Sequence, residues 1–251
     1  MPRFKEQAIC IRHIDWSETS QIVALLTEQL GIIRAVAKGS RRTSPGSVQR
    51  YSGGVELLTL GQAVGMIKRS VDLASLTEWD LQNPFWHLRR DLEAQRLGLY
   101  GADLVGAMLA QGDPHPNVFE ATAIFLEELE DPASRTQGLL RFQWRVLEDC
   151  GYRPELDRDV RSDGQLPKRK TYVFDAVAGG LTVGQSDNRI AWKVRAGTID
   201  LLRQLAVGTE AACDAPALDR ANRLLCVYAR AILDRELPTM KALLGGGNPY
   251  R

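Results

Sequence analysis

Cysteine is scarce. The 251-residue chain has four, Cys10, Cys150, Cys213 and Cys226, and no two lie within four positions of each other. That spacing excludes a CxxC zinc knuckle and a CxxC redox pair. Cys10 falls inside an alternating strand pattern and Cys226 in an apolar helical one, so both read as reduced core thiols. The three histidines, His13, His87 and His115, are far apart, which argues against a histidine zinc site or a Cys–His nucleophile. No uncharged apolar run reaches the roughly 18 residues of a membrane span. Met1-Pro2-Arg3-Phe4-Lys5-Glu6 lacks the apolar segment of a signal peptide, so a cytoplasmic location is expected.

Catalytic signatures are also missing. There is no GxxxxGK[ST] phosphate loop, no GxSxG elbow and no HExxH helix. Glu127, Glu128, Glu130 and Asp131 diverge around a helix and read as a solvated acidic face. Asp157, Asp159 and Asp163 alternate with Arg158 and Arg161, without the terminal glutamate of a calcium loop. The chain therefore reads as non-enzymatic, with no cofactor and no metal.

With 44% apolar and 25% charged residues, the chain can bury the core of one large domain or two small ones. Its net charge of +1 excludes a general polycation, so any affinity for a polyanion must come from local asymmetry. One such asymmetry exists. From residue 38 to 69 stand Lys38, Arg41, Arg42, Arg50, Lys68 and Arg69 against a single acid, Glu56. The run Val36-Ala37-Lys38-Gly39-Ser40-Arg41-Arg42 sets cations beside flexible backbone after two strands, Gln21–Glu28 and Ile32–Ala37. Phosphate rewards that arrangement through ion pairing and counterion release. An ordinary solvated turn carries similar charge.

Period-two patterns continue through the first 78 residues. Gln7–His13, Gln21–Glu28 and Ile32–Ala37 read as strands, with Asp15-Trp16-Ser17-Glu18 as a polar turn. Val55–Leu60 reads as a fourth strand, Gly61-Gln62 as a turn, and Val64–Val71 as a fifth strand that carries Lys68 and Arg69. Five short strands with one long excursion after the third fit a small closed barrel of the oligonucleotide-binding (OB) type, or another small β-fold. Tyr51 is the aromatic nearest the basic loop, which favours contact with the backbone of a nucleic acid over base stacking.

From Leu76 the period becomes helical, with Thr77-Glu78-Trp79-Asp80 as a polar helix start. Helices are expected over Leu88–Leu109, Val118–Leu129 and Arg135–Asp149, then around Leu201–Leu205 and over Leu218–Leu233. A polar insert, Glu155 to about Val194, includes a hairpin-like stretch from Thr171 to Val183. The resulting fold class is α+β: an N-terminal five-stranded OB barrel (1–78), then a helical bundle (79–154 and 195–244). A small β insert (155–194) interrupts the bundle, and a mobile tail (245–251) ends the chain.

Four runs in this order resemble one family. They are Val36–Arg42 (V-A-K-G-x-R-R), Leu147–Asp157 (L-x-x-x-G-Y-x-P-E-L-D), the Gly179-Gly180-Leu181 turn, and Glu236-Leu237-Pro238-Thr239-Met240-Lys241-Ala242-Leu243. Together they resemble the RecO family of bacterial recombination mediators over nearly the whole chain. The resemblance implies a non-catalytic, cytoplasmic, nucleoid-associated protein of DNA repair. It implies binding of single- and double-stranded DNA, annealing, and help in loading RecA onto coated single strands. The implied partners are RecR and the acidic C-terminal tail of the single-stranded-DNA-binding protein. Lys38, Arg41, Arg42, Arg50, Lys68 and Arg69 become candidate DNA contacts. Arg141, Trp144, Arg145, Arg220, Arg223 and Arg230 become candidates for holding the acidic tail.

Many family members hold zinc with two CxxC pairs in the insert. Here those positions fall near Asp159 and Ser162 and near Val183 and Ser186, so a zinc-less knuckle packed on Tyr172, Phe174 and Leu181 is expected. An RNA- or tRNA-binding OB protein and a protein-only scaffold remain the alternatives.

Overall fold

The computed structural model describes residues 2–67, 73–184, 191–209 and 214–244. The chain divides into two compact units, Met1–Pro132 and Ala133–Arg251.

In the first unit, β1 (Arg3–Ser17), β2 (Ser20–Thr27), β3 (Gly31–Ala37), β4 (Leu60–Met66) and β5 (Ala74–Asn83) close a barrel in the order β1-β2-β3-β5-β4. β3 and β5 pair in parallel and the other pairs are antiparallel. A short helix, α1 (Pro45–Tyr51), lies between β3 and β4. This order and helix placement are those of the OB barrel. Strand alternation fills the interior with Phe4, Ala8, Cys10, Val23, Leu25, Ile33, Ala35, Leu76 and Trp79. Burial pushes the Cys10 thiol up to about 12, so it is a packing group with no thiolate at neutral pH.

β1 runs past the expected turn at Asp15 as far as Ser17, where it pairs with Ser20, and the last two strands also differ from expectation. Val55–Thr59 is irregular, because Gln21 binds both backbone groups of Val55 and Leu58 adopts φ +56°. Gly61 lies inside β4 and makes no turn. A Cβ there would stand 2.5 Å from the Asp80 carbonyl oxygen and 2.7 Å from the Trp79 ring, and one at Gly65 would meet the Phe4 ring at 2.6 Å. These glycines let neighbouring groups approach the strand. Thr77–Asp80, read as a helix start, belongs to β5, where Trp79 is buried between exposed Glu78 and Asp80. The barrel thus ends at Asn83 instead of 78. Lys68 and Arg69 follow the end of β4 in sequence and lie outside the described residues.

Two helices complete this unit. A 3-10 turn, Trp86–Arg89, leads to α2 (Leu92–Met108), whose N-terminus is capped by the Asp91 carboxylate accepting from the Ala94 N–H at 2.9 Å. α3 (Pro116–Glu128) follows. Their connection reaches the β2–β3 turn, where the Gly112 N–H donates to the Ile32 carbonyl at 3.1 Å. The opposite end of β3, with the basic turn, lies a strand length away.

The second unit starts with α4 (Arg135–Asp149), at the expected bounds. The insert forms a three-stranded sheet of β6 (Thr171–Asp175), β7 (Gly180–Thr182) and β8 (Ala191–Arg195), in the order β7-β6-β8. Then come α5 (Ala196–Ala206), α6 (Ala215–Leu233) and a short α7 (Met240–Leu244). α4 and α6 are joined through a buried amide pair: Gln143 Nε2 donates to Asn222 Oδ1 at 2.8 Å, and Asn222 Nδ2 donates to the Thr136 carbonyl at 2.8 Å. Phe174 stacks on Trp192 at 6.1 Å and meets Tyr228 edge-on at 5.1 Å, which seats the insert on α6. No described helix is long and apolar enough to cross a membrane. The expected mobile tail, 245–251, lies outside the described residues.

Candidate nucleic-acid interface

The basic turn is held by its backbone and by one buried hydroxyl. Gly39 adopts φ +73°, a left-handed conformation that glycine takes without a Cβ penalty, and its carbonyl accepts from the Arg42 N–H at 3.1 Å. Ser40 is fully buried and donates to Gln21 Oε1 at 2.9 Å. The same Gln21 oxygen accepts from the Val55 N–H at 3.1 Å, and Gln21 Nε2 donates to the Val55 carbonyl at 3.2 Å. One side chain inside β2 thus fixes the start of the turn and the chain leaving α1. The β1–β2 hairpin is tied in as well: the Arg41 N–H donates to the Thr19 carbonyl at 3.1 Å and the Gly39 N–H to Ser20 Oγ at 3.2 Å. Buried Ser47 of α1 donates to the Gly39 carbonyl.

With the backbone fixed, the cations separate into classes. Lys38 and Arg42 are exposed, and neither has an ion-pair partner among the described residues. Arg41 differs, because its guanidinium pairs with Asp15 on β1, with both groups about half exposed. Arg50, in the last turn of α1, folds back so that Nε donates to the Gly46 carbonyl at 3.1 Å, and its guanidinium lies 5.9 Å from the Tyr51 ring centre. Tyr51 offers no stacking face. It is buried, its hydroxyl donates to the Leu76 carbonyl at 3.0 Å, and burial, partly offset by Arg50, raises its pKa.

Two further cations and an aromatic residue escaped the sequence reading. Arg12 and Arg34 are exposed and sit in one cross-strand row, Arg12–Ala24–Arg34. Trp16 was read as part of a turn, but β1 continues through it, and its indole is 68% exposed. The signal was there: Arg12, Ile14 and Trp16 continue one alternation. Among the described residues, the acids at this end include Asp15, paired with Arg41, and exposed Glu18 and Glu78, the last close enough to act on Tyr51.

In the second unit, the six candidates do not form one cluster. Trp144 is buried on α4 with the Arg153 guanidinium 5.7 Å from its ring centre. Arg145 pairs with Glu148, Arg223 with Asp219 and Arg230 with Glu236, while Arg220 Nε donates to Thr198 Oγ1 at 3.3 Å. Arg141 lies on α4, partly exposed. Of the six, only Trp144 lines a cleft of about 580 Å³, together with Arg153, Glu155, Leu156, Asp157, Arg203 and Val207, and Arg153 pairs with Glu148 at 3.2 Å. Arg203 is held there by Asp157 at 3.0 Å and Asp200 at 3.2 Å.

The insert's donor set does not suit zinc. Asp159, at the first expected ligand position, is buried with its carboxylate saturated by four neighbours. It accepts from the N–H groups of Val183 at 2.8 Å, Arg161 at 2.8 Å and Ser162 at 3.1 Å, and from the Thr182 hydroxyl at 3.2 Å. The Val183 N–H above all holds the carboxyl down to about 2 against the effect of burial. One carboxylate thereby joins the 159–162 turn to the end of β7. Ser186 lies outside the described residues. Tyr172, Phe174 and Leu181 are buried, and Arg161 pairs with fully buried Asp175 on β6.

The sequence matches the family described as Recombination protein O N terminal over residues 1–85 and Recombination protein O C terminal over residues 89–241. It is 29% identical over 253 residues to the DNA repair protein RecO of Anaeromyxobacter dehalogenans (strain 2CP-C), covering 97% of this chain and 96% of that protein. It is 30% identical over 203 residues to that of Rhodopirellula baltica, covering 79% of this chain and 73% of the relative. The DNA repair protein RecO of Desulfitobacterium hafniense (strain DSM 10664 / DCB-2) is 29% identical over 229 residues, covering 88% of this chain and 77% of the relative.

Proposed function

Because the chain belongs to the RecO family of DNA repair proteins, we propose that it is a non-catalytic DNA-binding mediator that anneals strands and helps load RecA. The observation that carries this reading is the set of cations at one end of the barrel. Lys38 and Arg42 are free of ion pairs among the described residues on a turn fixed by Ser40 and Gln21, and Arg12 and Arg34 stand on the adjoining sheet face. Cations held on a rigid scaffold pair with phosphates at little ordering cost and release condensed counterions. Contacts to phosphate carry no sequence information, which suits a protein that must bring any two complementary strands together. Annealing also gains from neutralising strand repulsion, a task that needs fixed positive charge and no reacting group.

The second unit carries the partner side of this reading. A peptide with acidic residues and an apolar C-terminal residue needs an apolar cleft edged by guanidinium groups. The cleft brings Trp144, Leu156 and Val207 beside Arg153 and Arg203, so it is the proposed seat for the tail of the single-stranded-DNA-binding protein, whose carboxylates would replace Glu148 and Asp157 as partners of the two guanidinium groups. RecR is proposed as a further partner, and the cytoplasmic nucleoid as the place of action.

The direct test is annealing of complementary oligonucleotides without nucleotide cofactor. The wild-type protein accelerates it, and a Lys38→Ala/Arg42→Ala/Arg50→Ala variant with an unchanged unfolding curve does not. Equal rates for the two proteins would overturn the proposal, and the same rates on matched RNA strands would move it to RNA.

A further inference from the structure

Trp16 is the most exposed large apolar side chain among the described residues of the barrel. It leaves 68% of its surface in water, and Ile14, two residues earlier on the same strand, leaves 51%. Cross-strand pairing continues the row: Ile14 faces Ile22, and Ile22 faces Val36, both half-buried. The sheet thus presents an apolar strip with an indole at one end. The next row is Arg12–Ala24–Arg34, and beyond the strip lies the turn with Lys38 and Arg42. The indole's backbone is fixed. β1 bulges between Asp15 and Ser17, and the hairpin is tied to the basic turn through Thr19 and Ser20.

We propose that Trp16 is a base-stacking residue, on which the barrel receives a base of single-stranded nucleic acid while the flanking phosphates lie on the cations around it. This rests on the nucleic-acid reading above and narrows it to single strands. An apolar face with a cationic rim fits a ligand that alternates flat π-surfaces with negative charge, and an unpaired strand is such a ligand. A duplex brings the same phosphates but keeps its base faces stacked inside, so it can use only the cations. Every base has a π-face, so stacking here keeps binding indifferent to sequence. The charge around the strip favours a strand over an acidic protein surface. Arg12, Arg34, Lys38 and Arg42 are free of ion pairs among the described residues, Asp15 is engaged by Arg41, and the described acids left at this end, Glu18 and Glu78, are outnumbered by those four cations.

The test compares wild type, Trp16→Ala and Trp16→Phe in anisotropy titrations with three probes: an oligothymidylate, a duplex of equal length, and an abasic oligonucleotide. The expected result is about a tenfold loss for Trp16→Ala on the oligothymidylate, with most affinity kept by Trp16→Phe. Duplex and abasic affinities, and the salt slope, stay within about twofold of wild type. Equal weakening on all three probes, or none on any, would overturn the stacking role. Wild-type protein that binds no probe would instead remove the nucleic-acid reading beneath it. If the alanine variant's one change is loss of self-association in sedimentation, the strip belongs to a second copy of the chain and the proposal falls.

Discussion

The Arg41 guanidinium is paired with the Asp15 carboxylate across the space between the basic turn and the β1–β2 hairpin, with both groups open to solvent. An exposed pair of this kind contributes about 0–1 kcal/mol to stability. It does more to the local field, since it cancels one of the cations nearest the turn. Asp15→Ala is therefore expected to change the unfolding free energy by less than about 1 kcal/mol. It should raise affinity for an oligonucleotide about two- to fivefold at roughly 0.1 M salt. Binding titrations beside a urea melt measure both. Weaker binding by the variant would mean that the pair, rather than the free cation, shapes the site.

Gln21 holds the turn from inside. It makes three buried hydrogen bonds, to Ser40 and to both backbone groups of Val55. Gln21→Ala leaves these partners without their protein bonds, at about 1–3 kcal/mol for each stranded group that water does not reach. A loss of about 3 kcal/mol in a urea melt is expected, together with a broadened or shifted turn in amide exchange. A melt within about 0.5 kcal/mol of wild type would show that Gln21 does not brace the turn.

The sequence made β2, β3, the middle of β1 and the basic turn legible, because alternation and Gly39 mark them directly. It misled at the end of β1, where Asp15–Ser17 looks like a turn but stays in the strand, and at β4 and β5. Gly61 looked like a turn residue, yet it makes room for Trp79 and the Asp80 carbonyl, a reason that exists only once the barrel is closed. Thr77–Asp80 looked helical because polar residues flank Trp79, although those residues simply face outward. The candidate site was legible as a run of cations, of which Lys68 and Arg69 lie outside the described residues, but not as an electrostatic arrangement. The Arg41–Asp15 pair depends on where the β1–β2 hairpin meets the turn, a long-range relation with no local sign. Trp16 was hidden by its polar neighbours Asp15, Ser17 and Glu18.

Asp159 makes the insert sensitive to acid. Its carboxyl is held down to about 2, mainly by the Val183 N–H, below the roughly 3.9 of an unfolded aspartate. The native state therefore binds its proton less readily than the unfolded chain does. The stability it contributes is complete above the unfolded value and is lost as pH falls through about 2. Asp159→Asn is expected to lower stability at neutral pH and to flatten the pH dependence between about 4 and 2. Thermal melts across that range decide it. Added zinc or chelator should leave both proteins unchanged, and a zinc-dependent rise in melting temperature would refute the carboxylate clasp.

The cleft around Trp144 gives the partner proposal its own test. An acidic peptide with an apolar C-terminal residue should perturb the amide resonances of Leu156, Arg203 and Val207. Arg153→Ala should weaken it about tenfold, as for a charged hydrogen-bonding partner. Perturbations confined to residues 2–67 would place the peptide on the barrel instead.

The account centres on phosphate held by a few fixed cations, and the salt dependence of binding measures that number directly. For an oligothymidylate, each ion pair contributes about 0.7 to the slope of log affinity against log salt. Lys38→Ala/Arg42→Ala should reduce the slope by about 1.4 and the affinity by at least about tenfold. A slope and affinity equal to those of wild type, on a variant that melts normally, would contradict the account.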